Sequence, residues 1–452
     1  MNKRTFLKHS AAVLGESSGA RFLGGATDDP AAGSRLTNWA GNYRYSTGNV
    51  HQLASIDQIR KFVKEHDSLK VLGTRHCFNG IADSTQALIS LKRLDQVVAL
   101  DREARAVTVE AGISYGQLCP YLHAKGFALH NLASLLHISI AGACATATHG
   151  SGIKNGNLAT AVSALEFVTA GGDILALSRD KDGDAFLGVV VNLGAIGVVT
   201  KVTLDVQPAF VVRQDVYENM PLAQLTDHYE SIMSSGYSVS LFTDWRNKRI
   251  SEVWVKRRVE KGDATDAKPE FFGARLATRN LHPIAGLSAE NCTEQMGVPG
   301  PWYDRLPHSR IGFTESSGNR LQSEYFVART DAVEAILAVE RLRDRVSPHL
   351  WISELRAVDA DRLWMSPCYR RPSLAIHFTW KQDWDSVRKV LPIIEKELAP
   401  YDVRPHWGKL FTVEPAQLQS RYEKLADFKD LIKEHDPRGK FRNEFLASTL
   451  YG

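Results

Sequence analysis

Four stretches of this chain carry residue types that can do chemistry. The first is Val71-Leu72-Gly73-Thr74-Arg75-His76-Cys77. The apolar run ending at Leu72 reads as a short buried strand, and Gly73-Thr74 then turns the backbone sharply. A turn after a buried strand leaves backbone N–H groups free, and such nests bind phosphate. Glycine lets a ligand approach the backbone closely, and Arg75 adds a guanidinium fork suited to a diphosphate. His76 is then an imidazole held beside a bound dinucleotide. Taken alone, a Gly-x-x-His turn more often marks a surface loop, so this reading needs support from the rest of the chain.

Two further stretches read as strands. In Trp351-Ile352-Ser353-Glu354-Leu355-Arg356, residues two apart share a face, so Glu354 and Arg356 point the same way. A carboxylate and a guanidinium so placed can grip a polyol or a carboxylate jointly. His377 and Thr379 share a face by the same spacing. The fourth stretch, His406-Trp407-Gly408-Lys409, puts a lysine after an aromatic turn. Beside an arginine and out of water, its pKa falls toward use as a base. Each feature also fits a structural role, because ion pairs on exposed strands are common and contribute little.

From Ser139 to Gly152 almost every side chain is small. Small side chains let a backbone lie flat against something large and planar. Ser and Thr hydroxyls add hydrogen bonds at little steric cost. Tight helix packing is the competing reading, but the Thr residues and the closing His149-Gly150-Ser151-Gly152 argue against a helix.

A large mixed fold must position these groups. The chain has 452 residues, enough for two or three domains. Ser55 and Gln58 open a helix that leads into the strand before His76. Strands follow over 88–91, 97–100 and 107–109, then a helix over 114–125 and a hairpin over 165–177. Pro208 marks a boundary. Beyond it, strands over 239–244, 253–256, 322–328, 351–358 and 374–380 alternate with helices over 330–345 and 384–398. Residues 415–445 read as mostly helical. The class is α+β, with the second region built on an antiparallel sheet.

Composition excludes several functions. Net charge is +4 from 55 basic and 51 acidic residues, so no electrostatic case exists for nucleic acid. No apolar stretch approaches the roughly 18 residues of a membrane span. The five scattered cysteines contain no C-x-x-C, so no metal site is expected. No G-x-G-x-x-G, Walker A loop or H-E-x-x-H is present, which disfavours a nicotinamide dehydrogenase of the Rossmann type. Residues 1–34 read as a tail. Asn2 to Lys8 approximates a twin-arginine export signal with a poor apolar region, so a cytoplasmic location is favoured over export. Gly15-Glu16-Ser17-Ser18-Gly19 matches a nucleophile elbow but lacks its strand and helix.

From Asn38 onward the chain resembles the alditol oxidases, flavoproteins with the vanillyl-alcohol-oxidase type of FAD-binding fold. Asn38-Trp39-Ala40-Gly41-Asn42, Thr148-His149-Gly150-Ser151-Gly152, Asn291-Cys292-Thr293-Glu294-Gln295, Gly297-Val298-Pro299-Gly300-Pro301-Trp302 and His406-Trp407-Gly408-Lys409 carry the resemblance. It implies a two-part FAD-binding domain over 35–207, a substrate domain over 208–403, and a segment over 404–452 that returns to the first domain. It implies FAD bound covalently through His76, with Val71, Leu72, Gly73, Thr74, Arg75 and Cys77 around the diphosphate. Ser139, Gly142, Thr146, Ala147, Thr148, His149 and Val199 would line the cofactor. Ser134, Glu354, Arg356, Thr379 and Lys409 would line the substrate pocket, with Lys409, Arg356 and Glu354 catalytic. The partners implied are a small polyol and molecular oxygen, in a monomeric protein. Four positions depart from the family pattern. Its turn is usually Gly-Ser-Gly-His, against Gly73-Thr74-Arg75-His76 here. Ala147 replaces a usual Gly, and Leu136 a usual Pro.

Overall fold

The computed structural model describes residues 36–260, 267–313 and 319–452. The twin-arginine-like and elbow-like stretches lie outside these residues. The first sheet is small and parallel: β1 (Val50–Gln52), β2 (Leu69–Leu72) and β3 (Ala87–Ser90), in the order β1-β3-β2. Between β1 and β2 runs α1 (Ile56–Glu65), capped by Ser55, whose side chain accepts the Gln58 N–H. Its Ile59, Phe62 and Val63 are buried at helical spacing. A five-stranded antiparallel sheet follows: β4 (Val97–Asp101), β5 (Ala106–Glu110), β6 (Val162–Val168), β7 (Ile174–Ser178) and β8 (Val198–Asp205), ordered β4-β5-β8-β6-β7. The expected hairpin is β6 and β7. Helix α2 (Tyr115–Ala124) carries a full capping box between Ser114 and Gln117.

One expectation is corrected here. The small-residue stretch does form a helix, α3 (Ile140–Ala145). Alanines at 141, 143 and 145 favour it, and the threonines that argued against it begin only at Thr146, its C-cap.

A ten-stranded sheet dominates the rest. Its long strands are β9 (Val211–Pro221), β10 (Ser238–Thr243), β11 (Arg249–Val259), β12 (Arg320–Ala328), β13 (Leu350–Val358) and β14 (Ser373–Lys381), ordered β9-β11-β10-β13-β14-β12. Arg404–Pro405 adds an edge strand to β12. One face, with Leu241, Leu355, Ile376 and Tyr325, packs on α4 (Gln224–Met233), α5 (Ala332–Arg341) and α6 (Trp384–Leu398). Each aliphatic side chain fully buried there contributes about 1.5–3 kcal/mol. Helix α5 ends at Arg341 with Leu342 as its cap, and a separate short helix covers Arg343–Val346, so the predicted single helix is broken.

Residues 404–452 return to the first sheets. Leu69 N donates to Lys440 O at 3.1 Å. Asn443 Nδ2 donates to the carbonyls of Gly80, Ile81 and Asp83.

Candidate active site

The second face of the large sheet is polar, and register explains why its groups meet. Phe242 on β10 pairs with Glu354 on β13, Glu354 with His377 on β14, and His377 with Glu324 on β12. Directly paired residues share a face, so four strands set one row. Arg356 and Thr379 extend it at the predicted two-residue spacing. All of these except the flanking Phe242 are polar, and each is at least nine-tenths buried.

Glu324 is the hub, and the sequence pattern does not single it out. Its carboxylate is fully buried and accepts from Arg356 Nη2 at 2.6 Å and Lys409 Nζ at 2.7 Å. His149 Nε2 lies 3.3 Å from its Oε1. Burial alone would raise this carboxyl's pKa, but Lys409 and then Arg356 hold it well below the usual carboxylate range. Lys409 Nζ also meets His377 Nδ1 at 2.8 Å, and His377 Nε2 meets Thr379 Oγ1 at 3.0 Å. Burial pulls the Lys409 pKa below the ordinary lysine value, Glu324 pulls it back up, and Arg356 lowers it again. The expected direction holds, with Glu324 as an opposing charge that local spacing does not reveal.

Glu354 lies 3.6 Å from Arg356 Nε and 2.7 Å from His308 Nε2. Burial raises its pKa, yet Arg356 and His308 outweigh that and keep it an anion well below the usual range. Arg356 Nε is buried with no hydrogen-bond partner, so one N–H of the guanidinium is free to serve a ligand.

Opposite this face stands the His76 turn. The two are stitched by Phe78 N to Gly408 O at 2.8 Å and by Asn79 Nδ2 to Trp407 O and Lys409 O, each at 2.8 Å. Between them lies a cavity of about 700 Å³. All of the predicted pocket residues line it except Ala147, which sits buried behind the wall. His76 lies under the Trp39 ring at 4.6 Å, and its Nδ1 meets His137 Nε2 at 3.2 Å. Burial, then His137 and Lys409, drive the His76 pKa well below its usual value, so the imidazole is neutral. His137 and His308 join the site unannounced by the sequence. No local pattern marks them, since each meets its partner only through the fold.

The cavity walls suit a large planar cofactor. A side chain on Gly142 would sit 2.9 Å from Ser139 Oγ, and one on Gly73 3.3 Å from the same atom. His149 lines the cavity, and its buried Nε2 makes no hydrogen bond. Arg75 lines the cavity, with Nη1 also donating to Thr37 O at 3.3 Å. Two of the departures from the family pattern fall on left-handed backbone: Arg75 has φ +61° and Ala147 φ +54°. Glycine adopts that conformation freely, whereas other residues lose about 1 kcal/mol or more. Among the described residues no cluster of His, Cys, Asp and Glu could hold a metal ion. No described helix is long and apolar enough to cross a membrane.

Comparison with known proteins agrees with this geometry. Residues 49–178 match the family model of an FAD binding domain, and residues 314–449 match that of D-arabinono-1,4-lactone oxidase. A cholesterol oxidase from B. sterolicum superposes with a TM-score of 0.75 over 92% of this chain and 96% of its own, at 14% identity. That likeness speaks to the fold alone. An alditol oxidase from Streptomyces sp. (strain IKD472 / FERM P-14339) is 46% identical over 420 residues, 92% of this chain and 99% of the relative. An L-gulonolactone oxidase from Mus musculus is 24% identical over 93% of this chain and 99% of its own. Fold and site thus define a flavoprotein oxidoreductase that binds FAD. Within that class, the chain belongs to the alditol oxidase family.

Proposed function

We propose that this protein oxidises the terminal primary alcohol of an alditol such as xylitol or sorbitol to the aldose, with oxygen reduced to hydrogen peroxide. The carrying observation is the row Glu354–His377–Glu324, with Arg356 and Lys409 locked onto it beside an FAD-sized cavity. When bound, FAD supplies the two-electron acceptor for the alcohol carbon and returns the electrons to oxygen. The residues do the rest. Arg356 Nε, buried and unbonded, and Lys409 Nζ hold the C1 oxygen and stabilise its developing negative charge. Lys409, with its lowered pKa, takes the hydroxyl proton. Glu354, Ser134 and Thr379 bind the remaining hydroxyls, where an anionic Glu354 accepts hydrogen bonds.

On this reading residues 35–207 and 404–452 hold the cofactor and 208–403 the substrate. Val71, Leu72, Gly73, Thr74, Arg75 and Cys77 surround the diphosphate. Ser139, Gly142, Thr146, Thr148, His149 and Val199 line the rest, and Ala147 supports them from behind. His76 would carry the covalent link, a role suited to a neutral imidazole with a free lone pair. The test is substrate profiling with oxygen and with an artificial electron acceptor. Alditol oxidation with stoichiometric peroxide is expected. Activity confined to aldonolactones, or an enzyme that ignores oxygen, refutes the proposal.

A further inference from the structure

Two of the three residues assigned to the remaining hydroxyls come from distant parts of the chain. Ser134 lies in the loop before α3, and Glu354 lies on β13. One residue touches both. His308 Nε2 meets Glu354 Oε1 at 2.7 Å, and His308 N donates to Ser134 O at 3.2 Å. The next residue, Ser309, also donates from its N to Ser134 O, at 3.3 Å. The imidazole stands edge-on between Trp254 and Phe242, with centroids 5.2 and 5.6 Å away, which holds its plane.

Its tautomer follows from counting protons. Lys256 Nζ, fully buried on β11, donates to Leu306 O at 2.6 Å and Pro307 O at 2.8 Å, and lies 3.3 Å from His308 Nδ1. Burial lowers the Lys256 pKa to about 7, so its charge alone does not decide the ring. Glu354, held as an anion, can only accept, which leaves Nδ1 as the bare nitrogen facing Lys256. Burial, then Lys256 and Arg356, outweigh the pull of Glu354 and keep the His308 imidazole neutral. Its single N–H must sit on Nε2, pointing at the Glu354 carboxylate.

We propose that His308, backed by Lys256, is a positioning residue that fixes the distance between Glu354 and Ser134 and thereby sets which alditol length the pocket prefers. This inference rests on the assignment of Glu354 to substrate binding. It predicts an effect on binding and chain-length selectivity. The chemistry at C1 is disturbed less, because the short contacts of Lys409 and Arg356 run to Glu324, while Glu354 stands 3.6 Å from Arg356 Nε.

The test compares His308→Asn with His308→Gln in the holoenzyme. Asparagine puts its amide where Nδ1 lies, so it keeps the Lys256 contact and the local fold, but it stops short of Glu354. Glutamine reaches the Nε2 position and can donate to the carboxylate. KM and kcat are measured for glycerol, xylitol and sorbitol. His308→Asn should raise KM for xylitol roughly tenfold, the lower end of a charge-assisted hydrogen bond. It should flatten the ratio of kcat/KM between long and short alditols while kcat stays within a few-fold. His308→Gln should restore most of both. Equal KM values and ratios in the wild type and His308→Asn overturn the inference. So does a loss in His308→Asn that falls on kcat alone, or that glutamine does not rescue. Glu354→Gln, run in parallel, separates the two levels. If it too leaves xylitol oxidation unchanged, the reading of Glu354 has failed. If it weakens oxidation while His308→Asn does not, only the role of His308 has failed.

Discussion

Replacing Lys409 with methionine removes the terminal amine and keeps most of the side chain's bulk. In the intact site Nζ is held by Glu324 Oε2 at 2.7 Å and His377 Nδ1 at 2.8 Å, which leaves one direction open toward the cavity it lines. Loss of a preorganised donor to a developing oxyanion costs about 10²–10³ in rate, or about 2.7–4 kcal/mol. Loss of a general base costs about 10²–10⁴. Substrate binding should change less, within about tenfold, because the contact strengthens mainly in the transition state. The assay is anaerobic stopped-flow mixing with xylitol, following loss of the yellow colour. The limiting rate should collapse and the half-saturation concentration hold. The pH profile separates the two roles. The Lys409 pKa lies below the ordinary lysine value, and only the neutral amine accepts a proton. The wild-type rate should therefore rise with pH through that pKa and then level off. An unchanged limiting rate in the variant refutes any catalytic role for Lys409. A slowed variant that keeps the rise moves the base elsewhere, with His377 the nearest imidazole.

Three other outcomes are expected. FAD should stay with the protein after acid precipitation and appear in the supernatant of His76→Ala; free FAD from the wild type removes the covalent link. Glu354→Gln should cut kcat/KM for xylitol roughly 10- to 150-fold, since a charge-assisted hydrogen bond contributes about 1.5–3 kcal/mol. Glu324→Gln leaves two buried cations without their shared anion and should destabilise the protein by about 3–5 kcal/mol in urea unfolding. Because the folded-state pKa of Glu324 lies below its ordinary value of 4.5, its contribution is present above that pH and fades as pH falls further. Acid should thus narrow the gap between wild type and Glu324→Gln, and a gap constant with pH contradicts the assignment.

The parts of this site that rest on local spacing are legible in the sequence. Two-residue periodicity alone places Glu354 with Arg356 and His377 with Thr379. The strand–turn–His pattern singles out His76. Glu324 is not legible, although its strand is, because its role depends on β12 lying beside β14. That pairing joins residues 53 apart, with Glu324 opposite His377. No local pattern encodes strand order. Lys256 and His308 escape for the same reason, being 52 residues apart and meeting only across the fold. The helix α3 is hidden because threonines just beyond its end weigh against the alanines inside it.

The stitching of the His76 turn to the Lys409 turn also bears on how the protein is made. The hydrogen bonds from Phe78 and Asn79 run to Gly408, Trp407 and Lys409, and the loop that follows is tied to Asn443. A ribosome emits residue 76 long before residue 409 exists. While the nascent chain is being extended, the turn that receives the cofactor lacks the backbone partners that fix its shape. Domains whose contacts are local can settle during translation, but this one closes on its own late residues. FAD is therefore expected to load after synthesis, on a chain whose C-terminal segment has already come home.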